Sequence, residues 1–204
     1  MDVKARMEKI TGDAALMATV EEASREAGVP PWLALGLAHV ESGGDPHMAR
    51  IYPVWLNTVM RSERPVGCAM DTERMFQKTA WGLTQVMGSA AREAGFTGWL
   101  TALVEPELNL RVGIAALGRT FAQHADRHGI EGALAAWKMG SPRRLPDGTF
   151  SGKAWAASVL KAAEGYRALF AKGAEEAPEA PSEKADRRKK KSEVPERQDS
   201  ADEG

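Results

Sequence analysis

The sequence predicts an all-α fold, and three observations support this. Alanine-rich stretches with apolar residues at helical spacing cover most of residues 1–172. Alternating runs of Val, Ile, Thr and Tyr, which are typical of strands, are nearly absent. Glycines and prolines separate the apolar stretches at intervals that suit helices of ordinary length. We therefore expect one helical domain over residues 1–172, with a long loop in its middle and a tail of different composition after it.

The first two helices are predicted from their end signals. Helical spacing runs through residues 2–27 and stops at Gly28, and glycine commonly follows the last residue of a helix. Prolines at positions 30 and 31 then start a second helix, because proline is tolerated in a first helical turn. This second helix ends near Ser42, where a pair of glycines follows.

The rest of the domain is predicted in the same way. Residues 45–80 are expected to be largely irregular, because prolines and glycines interrupt any regular pattern, although a short helix fits residues 54–62. Four more helices follow from apolar spacing and stop signals. They cover residues 87–95, 107–128, 131–139 and 153–172.

The tail at residues 173–204 differs from the domain in composition. It contains no aromatic residue and one large aliphatic residue, Val194. Such a segment cannot bury enough apolar surface to offset the entropy lost on ordering, so we expect a disordered, charged tail. The basic run Arg187–Lys191 is interpreted as a solvated segment. The whole chain has a net charge of −1, which gives no reason to expect nucleic acid as a partner.

Disulfides, metal sites and membrane spans are not expected. Cys68 is the only cysteine, so no intramolecular disulfide can form. His124 and His128 share a helix face, but no carboxylate or cysteine completes a ligand set, so we expect no metal and no cofactor. No apolar run reaches the roughly 18 residues of a membrane span, and the N-terminal segment lacks the apolar core of a signal peptide. We therefore expect a protein that stays in a cytoplasm or leaves it by another route.

The stretch HVESGGDP, at residues 39–46, contains the main candidate for chemistry. Leu33, Leu37 and Glu41 share one face of the second helix, so Glu41 continues an apolar stripe. Apolar neighbours and the negative end of the helix both favour the protonated carboxyl group. A carboxyl group that keeps its proton near neutral pH can act as a general acid. The alternative is a solvated glutamate at a helix end.

Five short segments carry a resemblance to a known family. In chain order they are Glu41-Ser42, Gly82-Leu83-Thr84-Gln85 with Met87, Glu105-Pro106 through Asn109-Leu110 with Gly113 and Leu117, Ala136-Trp137-Lys138-Met139-Gly140, and Trp155 with Val159-Leu160. In this order they resemble the catalytic domain of the soluble lytic transglycosylases, relatives of goose-type lysozyme. The resemblance covers residues 28–170 and implies a lysozyme-like helical fold.

The chain departs from the family pattern at several of these positions. Trp137 and Trp155 stand where the family has tyrosines, Lys138 replaces an asparagine, and Thr84 replaces a methionine. The stretch between the first two motifs is also longer than the pattern implies. A tryptophan still offers a flat face to a sugar ring, as tyrosine does.

The resemblance implies an activity on peptidoglycan glycan strands. The family cleaves the β-1,4 bond between N-acetylmuramic acid and N-acetylglucosamine and forms a 1,6-anhydro ring, with one glutamate as acid and base. That role would belong to Glu41. The candidate substrate-binding residues are Ser42, Gly82, Gln85 and Met87, with Trp81, Trp137 and Trp155 as candidate sugar platforms.

Other functions remain open at this point. A hydrolytic muramidase on the same fold would need a second carboxylate, for which Asp45, Glu63, Asp71 and Glu73 are candidates. A non-catalytic glycan-binding or structural module would keep the fold with altered motifs, and a helical interaction protein would match the motifs by chance. The N-terminal sequence favours a phage-encoded protein. It would act in the virion with other virion proteins, or be made in the host cytoplasm and delivered to the periplasm or cell wall.

Overall fold

Eight α-helices and three short strands make up the part of the chain that the computed structural model describes, residues 2–52 and 64–171. The helices are α1 (Val3–Gly12), α2 (Ala14–Ala27), α3 (Pro31–Ser42), α4 (Met70–Gln77), α5 (Gly88–Glu93), α6 (Pro106–Met139), α7 (Lys153–Glu164) and α8 (Arg167–Phe170). A 3-10 helix covers Leu100–Val104. The predicted helical fold is confirmed, whereas the short helix at residues 54–62 and the tail at residues 173–204 lie outside the described residues.

Helix α3 is the centre of the domain. All of its residues from Leu33 to Ala38 are buried, which is typical of a helix that other elements surround on all sides. It lies against α7, while α2 lies against α6. The contact with α7 is close, because a Cβ atom at Gly36 would collide with the backbone and side chain of Ala163. The burial of α3 carries Glu41, in its last turn, into the interior.

Two predicted helices are broken in the structure. The helix expected over residues 2–27 stops at Gly12, because Asp13 is extended (φ −92°, ψ 109°) and caps α2 with its side chain. Its carboxylate accepts hydrogen bonds from the amides of Ala15 (2.9 Å) and Leu16 (3.2 Å), the usual way that an aspartate starts a helix. The last helix, expected over residues 153–172, ends at Glu164 and resumes as α8.

The long helix α6 contains the break that the sequence predicted. Gly129 has φ 67° and ψ −178°, so the backbone leaves helical geometry and kinks between the helices expected at residues 107–128 and 131–139. A positive φ of this size suits glycine and strains other residues. The second part of α6 ends at Gly140, and it carries Trp137 and Lys138.

A small antiparallel sheet was not predicted. Its strands, in spatial order, are β1 (Ala49–Ile51), β2 (Thr79–Trp81) and β3 (Val86–Met87). Ala49 pairs with Trp81, and Ala80 pairs with Met87. Strands of two or three residues are too short to show an alternating pattern, which is why the region around them was expected to be irregular. Helix α4 lies in the same region and was also not predicted.

None of the helices in the described ranges is long and apolar enough to cross a membrane. Residues up to Phe170 form one compact unit.

Candidate active site

A cleft lies where the ends of α3 and α6 meet the small sheet and α5. Four of the predicted site residues line it, and so do four residues that were not predicted to do so. The predicted ones are Glu41, Gln85, Met87 and Trp137; the others are Tyr52, Ala80, Ala90 and Lys138. The cleft thus combines one carboxylate, one ammonium, one amide and aromatic faces.

Glu41 is buried in this cleft rather than solvated at a helix end. Its side chain is 6% exposed, and Glu41 is among the buried residues of α3. Both carboxylate oxygens face the ammonium of Lys138: Nζ lies 3.1 Å from Oε1 and 3.3 Å from Oε2. The two residues are 97 positions apart in the chain, so no local spacing could predict their contact.

Lys138 places a cation beside Glu41, where the sequence indicated apolar neighbours. Its ammonium lies within hydrogen-bond distance of both carboxylate oxygens. Lys138 is itself held over the ring of Trp155, with Nζ 5.0 Å from the ring centre. The carboxylate of Glu41 therefore has a cationic partner inside the cleft.

Gln85 is fixed in an unusual conformation. Its φ is 51°, in the left-handed region that residues other than glycine rarely adopt. Its Nε2 donates to the carbonyl of Met48 (3.0 Å) and to that of Gly82 (2.9 Å), so the orientation of the side-chain amide is set. Oε1 is buried and accepts no hydrogen bond from the described residues. The side chain of Gln85 therefore has one buried oxygen without a hydrogen-bond donor among the described residues.

Asn109 holds the turn that carries Gln85. Its Oδ1 accepts from the amide and the hydroxyl of Thr84, both at 2.9 Å. Its Nδ2 donates to the carbonyls of Trp81 (2.9 Å) and Leu103 (2.8 Å). Sequence reasoning assigned Asn109 no role, although it stands in one of the matched motifs.

Gly82 has a packing role at this turn. A Cβ atom there would collide with the side chain of Asn109 and the carbonyl of Leu103, and its φ is 64°. The space around Gly82 is therefore filled by the protein's own atoms. Its predicted contact with the substrate gains no support from this geometry.

Trp81, Ser42 and Trp155 do not line the cleft. Trp81 is buried in the core, where its Nε1 donates to the carbonyl of Phe76 at 3.0 Å. Ser42 donates to the carbonyl of Ala38 (3.0 Å) and accepts from the amide of Gly44 (3.2 Å), so its hydroxyl is used locally. The ring of Trp155 packs against the ammonium of Lys138, which does line the cleft. The buried Nε1 of Trp155 has no hydrogen-bond partner among the described residues.

The candidates for a second carboxylate lie elsewhere or are occupied. Glu73 is fully buried and paired with Arg92; burial alone would raise its pKa, but hydrogen bonds from Arg92 and Gln77 outweigh it and lower the pKa. Asp71 is exposed and pairs with a neighbour on its own helix. Asp45 accepts from the amide of His47 at 3.0 Å. Glu63 lies outside the described residues, and Glu41 is the one carboxylate among the described residues that line the cleft.

The histidines do not form a metal centre with other described residues. The rings of His124 and His128 lie 6.2 Å apart, and no group of three or more potential ligands converges within residues 2–52 and 64–171. His39 is used in a hydrogen bond of 2.7 Å to the hydroxyl of Tyr166.

Comparison with known families identifies the domain. The model of the transglycosylase SLT domain matches residues 18–144, which is more than half of the chain and contains the ends of both cleft helices. No individual curated protein and no solved structure matches the chain. The family match agrees with the helical fold, and the matched range includes Glu41 and Gln85. The chain therefore belongs to the transglycosylase SLT domain family, whose general activity is peptidoglycan cleavage of the lytic transglycosylase type.

Proposed function

We propose that this protein is a lytic transglycosylase that cleaves the β-1,4 bond between N-acetylmuramic acid and N-acetylglucosamine, with Glu41 as its single acid and base. The observation that carries the proposal is the placement of Glu41. It is buried at the cleft, beside an aromatic face and an amide, and no other carboxylate of the described residues lines that cleft. A glycosidase that uses water normally needs a second carboxylate to activate it.

The proposed reaction uses one proton twice. Protonated Glu41 donates its proton to the glycosidic oxygen, and the bond from that oxygen to C1 of the muramic acid breaks. The resulting carboxylate then takes the proton of the C6 hydroxyl of the same sugar, whose oxygen bonds to C1. The products are a free 4-hydroxyl on N-acetylglucosamine and a 1,6-anhydro ring on the muramic acid. Glu41 ends the cycle protonated, as it began.

The other cleft residues would orient the glycan. Trp137 offers a flat apolar face of the kind on which sugar rings stack. Gln85 also lines the cleft, and its side-chain amide is a polar group for an N-acetyl group of the substrate. Met87 adds apolar surface between them. The strained φ of Gln85 suits a position that is held ready for a ligand.

Digestion of purified peptidoglycan, followed by mass spectrometry of the products, tests the proposal. Three proteins are compared: the full chain, Glu41→Gln, and Glu131→Gln, which makes the same chemical change at an exposed position of α6. We expect products that end in 1,6-anhydromuramic acid from the full chain and from Glu131→Gln, and none from Glu41→Gln. Products that are heavier by one water would instead identify a hydrolase.

A second candidate function is a glycan-binding module without catalysis. The observation that favours it is the pairing of Glu41 with Lys138, because the ammonium contacts both oxygens of the carboxyl group that the first step would use. Binding of glycan strands by the full chain with no cleavage, under conditions in which a known lysozyme cleaves the same preparation, would establish this function.

The phage origin predicted from the sequence stays a prediction. Mass spectrometry of purified virions would check it, since a virion component is expected at a constant copy number in every preparation.

A further inference from the structure

Lys138 is the one cation among the described residues that line the cleft. Its side chain is 32% exposed, so most of it is shielded from water while the ammonium still borders the cleft. Its partners are the two carboxylate oxygens of Glu41, at 3.1 and 3.3 Å, and the ring of Trp155. The ring of Trp155 lies 5.0 Å from Nζ, measured to the ring centre. Lys138 is thus held in place at the reacting carboxylate.

The proposed reaction removes the counter-ion of Lys138. Glu41 must be protonated to act as an acid, and a neutral carboxyl group no longer balances the ammonium. Lys138 would then keep only the face of Trp155, and a cation that is partly shielded from water is less favourable without an anion beside it. A substrate that places its own anion beside Lys138 would remove this penalty. The productive complex therefore favours a glycan that carries a negative charge close to the scissile bond.

N-Acetylmuramic acid can supply this charge. Its lactyl ether at C3 ends in a carboxyl group, which is ionised when no peptide is attached and becomes a neutral amide when a peptide is attached. This carboxylate is only a few bonds from the ring at which the chain is cut. Because Glu41 must reach the glycosidic oxygen and Lys138 touches Glu41, an anion at this distance can reach the ammonium.

We propose that Lys138 binds the free lactyl carboxylate of muramic acid, so that the cleft selects glycan strands without stem peptides. This inference rests on the proposed function, because it uses the same cleft and the same substrate polymer. Lys138 thereby acts as a specificity determinant. An ammonium-to-carboxylate contact is charge-assisted, and such contacts are among the stronger hydrogen bonds of proteins.

A binding experiment that needs no cleavage tests the inference. The ligands are a peptide-free tetrasaccharide of alternating N-acetylglucosamine and N-acetylmuramic acid, and the same tetrasaccharide with its carboxyl groups converted to methyl amides. Glu41→Gln serves as the host protein, since it cannot cleave and leaves Lys138 without its internal carboxylate. Isothermal titration should give a Kd for the acid that is roughly tenfold or more below that for the amide.

Two further variants locate the effect at Lys138. Glu41→Gln/Lys138→Met keeps an unbranched chain against Trp155 but has no charge, and it should bind both ligands equally. Glu41→Gln/Lys138→Arg keeps the charge and should retain the preference. Equal affinity for acid and amide in Glu41→Gln, or a preference that survives Lys138→Met, would overturn the inference. Melting temperatures of all three proteins establish that each is folded.

The outcome separates this inference from the proposed function. If Glu41→Gln prefers the acid while the full chain cleaves no peptidoglycan, the role of Lys138 holds and the transglycosylase activity falls. If the full chain forms 1,6-anhydro ends from peptide-free and peptide-bearing strands at the same rate, the activity holds and the role of Lys138 falls.

Discussion

Glu73 and Arg92 form an ion pair that is almost completely shielded from water, with side chains 1% and 2% exposed and 2.9 Å between Oε1 and Nε. A second contact joins Arg92 Nη2 to Glu73 Oε2 at 3.1 Å, and Gln77 donates to Oε1 at 2.9 Å. Arg92 also donates to the carbonyls of Phe96 (2.6 Å) and Gly98 (2.8 Å). The pair therefore connects α4 to α5 and to the segment that follows α5.

Removal of the cation from this pair should destabilise the protein strongly. Arg92→Met leaves the buried carboxylate of Glu73 without its partner, and we expect the free energy of unfolding to fall by about 3–5 kcal/mol. Urea denaturation measures the change. The matched control is Arg74→Met, which removes the exposed partner of Asp71 and should cost about 0.5 kcal/mol or less. Similar losses of unfolding free energy for the two variants would show that the buried ion pair stabilises the fold no more than the exposed one.

The same pair predicts how stability depends on pH. The pKa of Glu73 in the folded protein lies below the ordinary value of 4.5. The carboxylate of Glu73 therefore binds a proton more tightly in the unfolded chain than in the folded protein. Its contribution to the free energy of unfolding is complete above pH 4.5 and is lost as the pH falls towards the lower pKa of the folded state. The free energy of unfolding should be measured at several pH values between about 3 and 7. As the pH falls, it should decrease less steeply in Glu73→Gln/Arg92→Met than in the unsubstituted protein. Parallel curves would contradict the assignment.

Addition of one methyl group at Gly36 should force α3 and α7 apart. Gly36→Ala places a Cβ atom against Ala163 where no space exists, and overpacking of this kind costs about 1–3 kcal/mol. Gly12→Ala is the matched control, because a Cβ atom at this exposed helical residue meets nothing within 4 Å. We expect the control to be neutral or slightly stabilising. Thermal unfolding of both variants tests the prediction, and a stable Gly36→Ala protein would mean that the two helices are less closely packed.

The turn that carries Gln85 should depend on the amide of Asn109. Asn109→Asp replaces a donor to two carbonyls by an acceptor, while the two bonds from Thr84 can remain. We expect a loss of about 2–4 kcal/mol in stability and a lower kcat/KM, because buried carbonyls lose their partners and the turn shifts. Gln123→Glu makes the equivalent change at an exposed site of α6 and should leave stability and activity unchanged. Full activity of Asn109→Asp would show that the turn holds Gln85 without it.

Helical periodicity predicted most of the fold, because it reports on the face that each helix buries. The stripe through Leu33 and Leu37 placed Glu41 in the interior, and the structure places it there. The helix break at Asp13 was missed, although an aspartate with free amides after it is a known start signal. The strands were missed because each has only two or three residues, so pairing between distant segments defines them, and no local pattern does.

The candidate site was predicted less completely, for a related reason. Matched motifs indicated Glu41 and Gln85, and both line the cleft. The contact between Glu41 and Lys138 joins residues 97 positions apart, and it depends on how α3 and α6 pack. The role of Asn109 likewise appears only when the turn at residues 82–85 is seen against α6. Trp81 could not be distinguished from a sugar platform by sequence, since core and cleft tryptophans both occur at apolar positions.

The break at Gly129 divides α6 into two parts that contribute differently to the site. The part before it carries Asn109, which must keep its four hydrogen bonds if the turn of Gln85 is to keep its shape. The part after it carries Trp137 and Lys138, which line the cleft. Substitutions at Trp137 and Lys138 therefore change groups that line the cleft, while the first part of α6 still holds the turn that carries Gln85.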